Sequence, residues 1–144
     1  MKQKKSLPYP DGWHVKAALG WLMLGNPVEA EMELNRVSPE MAHQPEVQAL
    51  RCRFFIARKQ WQEALHLAVG LLKAAPERIE SWVYPAYCLH ELGRTAEAFR
   101  LLKPAARRFP QNHLIPLNLA CYCWHLHDFR KASRWLDRAS VVLR

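Results

Sequence analysis

The stretch GRTAEAFRLLKPA, residues 93–105, has three counterparts in the chain: GNPVEAEMELNRV at 25–37, KQWQEALHLAVGL at 59–71 and HDFRKASRWLDRA at 127–139. Each begins 34 residues after the one before it, without insertion or deletion. A fixed period of this kind marks a stacked-repeat architecture, in which one small unit recurs and buries its apolar face against its neighbours. Every other residue is read in this register.

Ala30, Ala64, Ala98 and Ala132 share one repeat position, and Ala18, Cys52, Ala86 and Ala120 share another lying 12 residues upstream. Two columns of small side chains predict two antiparallel helices in close approach. Leu34, Ala68, Leu102 and Leu136 follow four residues after the first column, and Val37, Leu71, Ala105 and Ala139 three residues later. That spacing is the buried stripe of an amphipathic helix, which Pro27, Trp61, Thr95 and Phe129 open. Gly25 and Gly93 stand where a first helix should stop, since glycine takes the left-handed conformation at low cost. Asn26, Thr95 and Asp128 offer side-chain oxygens as N-caps of the second helices. Pro76 and Pro110 close the second helices of repeats two and three. The pattern predicts eight helices, at about 12–24, 27–38, 45–58, 61–74, 79–92, 95–108, 113–126 and 129–142.

With Trp82, ELG at 91–93, AEAF at 96–99 and Pro110 added to the period, the sequence resembles the tetratricopeptide repeat family over residues 11–144. His14 stands where repeat one should carry the tryptophan, and Lys59 and His127 replace the usual glycine. The resemblance implies an all-α, right-handed solenoid of four helix-turn-helix hairpins. The repeats fall at about 11–44, 45–78, 79–112 and 113–144, after a basic, proline-containing segment at 1–10.

CYCWHLHDF, residues 121–129, has the look of a metal motif, with two cysteines and two histidines on alternate positions. On a helix, Cys121 and His125 point within about 40° of each other, as do Cys123 and His127, but the two pairs lie on opposite faces. Four ligands so divided cannot surround one zinc ion. Cys123 belongs to the core column of Trp21, Phe55 and Leu89. Cys121 and His125 fall on the other face, where His90 of the preceding repeat stands nearby in register. Isolated cysteines and histidines on helices are usually packed or solvated, so we assign no metal and no cofactor.

By the same resemblance the first helices line a concave groove, and successive repeats contribute Leu19, Arg53, Tyr87 and Cys121, then Leu22, Ile56, His90 and Trp124. Such a wall suits an amphipathic helix or an extended peptide. The plainer reading is that the N-terminal segment or a second copy covers it. The lysine, asparagine and arginine set by which some members of the family clamp a terminal carboxylate is largely replaced by Val15, Leu19, Glu80 and Tyr84. Arg53, Tyr87, His90, Trp124 and His125 are the expected contacts, because tyrosine, tryptophan and arginine most often dominate binding energy.

Charge adds a second surface. The formal net charge is +8, and the basic excess concentrates in the last third, from Arg94 to Arg138, mostly on second helices. A solvated convex face is the first reading of this excess, and contact with nucleic acid or another polyanion the alternative. A third reading is a small chaperone of bacterial secretion. The ending SVVLR, with Trp135, Val142 and Leu143, suggests an apolar terminal face that docks a second copy or a partner. No phosphate-binding glycine loop, HExxH or GxSxG occurs, so no enzymatic activity is expected. The N-terminus lacks the apolar core of a secretory signal, which points to a cytoplasmic protein with reduced thiols. Taken together, the sequence reads as an all-α protein–protein interaction module with no membrane span.

Overall fold

The structure, a computed structural model, describes residues 6–143; residues 1–5, with the lysines of the N-terminal segment, and residue 144 lie outside the described residues. Among the described residues all regular structure is helical. The elements are α1 (Asp11–Met23), α2 (Pro27–Asn35), α3 (Pro45–Ala57), α4 (Trp61–Ala74), α5 (Glu80–Glu91), α6 (Thr95–Leu102), α7 (Ala105–Arg108), α8 (Leu114–His125) and α9 (Phe129–Leu143). Four hairpins result: α1 with α2, α3 with α4, α5 with α6, and α8 with α9. Each second helix also packs on the first helix of the next hairpin, and α1, α3 and α5 lie side by side.

The two small columns meet in the centre of each hairpin. Ala18, Cys52, Ala30, Ala64, Ala86 and Ala98 are wholly buried, and Ala120 and Ala132 nearly so. Leu34 and Leu102 beside them are wholly buried too, and burial of such a side chain stabilises by about 1.5–3 kcal/mol. The last repeat departs from the expected pattern. Leu136, expected on the buried stripe, is 49% exposed because α9 packs chiefly on α8 alone among the described helices. Trp135, expected on an apolar terminal face, is instead buried in the core of the last two repeats against Phe99, and the exposed side of α9 carries Arg130, Lys131, Arg134, Asp137 and Arg138. Beside these charges Leu136, Val141 and Leu143 are exposed too, so only Trp135 departs from the expected apolar face.

One turn joins the helices of all four hairpins. The N–H groups of Asn26, Gln60, Arg94 and Asp128 reach back to the carbonyls of Trp21, Phe55, Leu89 and Cys123 at 2.8–2.9 Å. The preceding residues, Gly25, Lys59, Gly93 and His127, donate to Leu22, Ile56, His90 and Trp124. This pair of bonds is the Schellman motif, which needs a left-handed residue at its centre. The φ angles there are 74°, 57°, 78° and 61°. Lys59 and His127 therefore adopt the glycine conformation in the absence of glycine.

The caps follow in part. Asn26 accepts from the N–H of Glu29 and Asp128 from that of Lys131. Thr95 does not cap: it is the first residue inside α6, one position too late, and its hydroxyl is hydrogen-bonded to His90 instead. Asn112, not singled out in the sequence, accepts from the N–H groups of Leu114 and Ile115. The expected helix 95–108 is interrupted at Lys103 and Pro104, because proline has no N–H to donate. Lys103 and Pro104 keep helical angles (φ −51°, ψ −46° and φ −60°, ψ −27°). Hydrogen bonding is lost there, not helical conformation.

Neighbouring repeats are tied by a recurrent side-chain bond. Trp82 donates its indole N–H to the carbonyl of Pro76 at 2.8 Å, and Gln48, one repeat earlier, donates to Ala42 at 2.7 Å. His14 occupies the same position in repeat one and binds Glu33 of α2 at 2.6 Å.

No atom lies within 4 Å of where a Cβ on Gly25 or Gly93 would stand, so only backbone conformation distinguishes glycine there. Lys59→Gly and His127→Gly should each stabilise the fold by about 0.5–1 kcal/mol, and Gly93→Ala should destabilise it by a similar amount. Urea unfolding midpoints measure both effects.

Candidate functional site

The columns Leu19, Arg53, Tyr87, Cys121 and Leu22, Ile56, His90, Trp124 run across adjacent first helices. Arg53 lines a depression of about 200 Å³ between α1, α3 and α5, walled by Val15, Leu19, Ala49 and Tyr84. Arg78 and Glu80 stand in the same depression. The Nε of Arg78 is buried without a hydrogen bond among the described residues, and Glu80 is 3.6 Å away. Burial raises the pKa of the Tyr84 phenol, and Arg53 partly opposes that. Arg78 carries no signal in the sequence, because it sits in the loop before α5.

Tyr87 is 37% exposed, with its ring edge-on to Trp61 at 5.5 Å between centroids. Its pKa is raised by burial first and by Glu91 second. Trp124 is 61% exposed and packs edge-to-face on Phe129 at 4.7 Å. One repeat earlier the two corresponding positions hold His90 and Thr95, whose Nδ1 and Oγ1 lie 2.9 Å apart. The residue that opens a second helix thus props an outward-facing residue of the first. Trp61 and Phe129 were legible only as helix openers, although their column position also places them here.

His90 and His125 come together, with ring centroids 4.6 Å apart, and Tyr122 also packs on His90 at 5.1 Å. Burial and the neighbouring His125 hold the His90 pKa below the ordinary histidine value. A donor atom from each of His90, Cys121 and His125 lies within 4.8 Å of the other two. Cys123 is buried and His127 forms the left-handed turn, so CYCWHLHDF is split between core and surface as its helical phase requires. Arg53 lines the separate depression between α1, α3 and α5.

Second helices carry the other charged feature. Arg94, Arg100, Lys103, Arg107, Arg108, Arg130, Lys131, Arg134 and Arg138 are all exposed, with Arg94 paired to Glu97 and Lys131 to Asp128. Lys103, Lys131, Arg134 and Arg138 ring a hollow of about 260 Å³ over Phe99 and Trp135. The Arg138 guanidinium lies 4.4 Å from the Trp135 ring centre.

All four cysteines are free, and Cys121 is the exposed one. Burial raises the pKa of Cys52 and Cys123, and that of Cys88 to about 11. Thiolate is the reactive form. An aromatic disulfide reagent at neutral pH should therefore titrate one thiol quickly and the other three only on unfolding, and Cys121→Ser should abolish the fast phase.

Three solved structures share this arrangement of helices. A thermophilic TPR protein of Thermus thermophilus superposes with a TM-score of 0.84 at 18% identity, over 92% of this chain and 74% of its own. Pseudomonas aeruginosa PilF gives 0.78 at 15%, over 92% and 60%. MamA of AMB-1 gives 0.76 at 14%, over 95% and 81%. No family profile and no curated protein matches the sequence. Likeness at this identity is likeness of fold: together with the 34-residue period it shows that this chain has the helical-repeat solenoid fold of these tetratricopeptide-repeat proteins.

Proposed function

We propose that the chain is a non-enzymatic protein–protein interaction module that holds a peptide or an amphipathic helix against its first helices. The observation that carries this reading is the state of Tyr87 and Trp124. Each ring is fixed by an aromatic neighbour, Trp61 and Phe129, yet keeps more than a third of its surface open. Aromatic groups held in place before binding lose little conformational freedom when a partner covers them. The depression beside Arg53 receives an apolar anchor and places a cation next to it. His90 and His125 add polar contacts between these two regions.

The hollow over Phe99 and Trp135 favours a second reading. Four cations around two aromatic rings suit a polyanion, whose affinity would fall steeply with salt. The two surfaces lie on different helices and can be disabled separately.

Capture from a native lysate at low and high salt separates the readings. A partner retained at high salt by wild type should be lost in Tyr87→Ala/Trp124→Ala, because two such truncations together weaken binding by about 100-fold or more. Lys131→Glu/Arg134→Glu should leave that capture intact. Recovery of nucleic acid at low salt only, lost in the charge-reversed variant and kept in the aromatic one, would move the function to the basic hollow.

A further inference from the structure

We propose that His90, Cys121 and His125 form a binding site for a zinc-class divalent cation, with two imidazoles and one thiolate as ligands and a fourth position open to solvent. The site does not depend on the partner-binding reading. Cys121 and His125 are four residues apart on α8, so their side chains rise from one face of the helix. His90 comes from the adjoining α5, and the three donor atoms lie within 4.8 Å of one another. Tetrahedral ligands of zinc stand about 3.4–3.6 Å apart. Cys121 and His125 are exposed, and a change of side-chain rotamer there closes the remaining ångström or so.

His90 is the fixed member. Its Nδ1 is hydrogen-bonded to the Thr95 hydroxyl, which orients the ring and leaves Nε2 as the free nitrogen. An outer partner of this kind is what ligating histidines usually have. Thr95 is thus a positioning residue. One thiolate with two imidazoles selects zinc-like ions over magnesium and calcium, which want oxygen ligands. Three protein ligands leave the coordination open, unlike the closed four-ligand sites that hold small folds together. As the Sγ–metal bond forms, the Cys121 thiol gives its proton to solvent.

The test uses the full chain, with zinc followed by calorimetry and cobalt by absorption. The expected result is one ion per chain, a thiolate-to-cobalt charge-transfer band in the near ultraviolet, and no uptake of magnesium. Cys121→Ser should remove the band, and His90→Gln and His125→Gln should each weaken zinc at least tenfold. Thr95→Val should weaken it about tenfold with the shape of the cobalt spectrum unchanged. Zinc should also protect Cys121 of the wild-type protein from alkylation, a readout that needs no variant to fold. Absence of saturable binding, binding that survives Cys121→Ser/His125→Gln, or alkylation unaffected by zinc would overturn the proposal.

Discussion

Close contact between the two small-residue columns is the constraint on which the rest of the structure depends. Ala18, Cys52, Ala86 and Ala120 on the first helices meet Ala30, Ala64, Ala98 and Ala132 on the second with almost no exposed surface. The Cys52 thiol reaches the Ala64 carbonyl across that gap at 3.4 Å. Side chains this short let the two backbones approach and leave little choice in how each helix is rotated about its axis. Once that rotation is set, Leu34, Leu71 and Leu102 must enter the core, and the columns of Arg53 and His90 fall at its edge, where Tyr87, His90 and Trp124 meet the residues that open second helices, Trp61, Thr95 and Phe129. The surface that these columns form is therefore a consequence of the packing.

The turns illustrate how a structural requirement outlasts the residue that best satisfies it. Four identical pairs of hydrogen bonds close the first helices, and they impose positive φ on Lys59 and His127 as firmly as on Gly25 and Gly93. The strain at those two residues is tolerated because both neighbouring helices are anchored by the buried columns. A glycine pattern alone would have marked only two of the four turns. Period and packing mark all of them.

Much of this was legible in the sequence, because a 34-residue period with fixed small positions leaves helix number and phase almost no freedom. What escaped has physical causes. Thr95 is a good capping residue placed one position late, and only the hydrogen bonds reveal the offset. Pro104 removes a donor without unwinding the helix. Trp135 is large and near the chain end, yet α6 and α8 supply enough surface to bury it. In the candidate site, register showed which residues share a face. It could not show that His90 meets His125, that Trp61 supports Tyr87, or that Arg78 enters the Arg53 depression from a loop. These are contacts between helices or with a loop, where side-chain length and rotamer decide.

Ala98→Leu, followed by urea unfolding and by circular dichroism, tests most directly whether the small columns set the architecture. Ala98 of α6 is wholly buried in the core with Ala86 and Leu89 of α5, and leucine adds three carbons there. The expected result is a loss of about 1–3 kcal/mol with helical content retained, since the overpacked hairpin must spread while its helices survive. Unchanged stability would mean that the columns are not in close contact and would contradict the helix register.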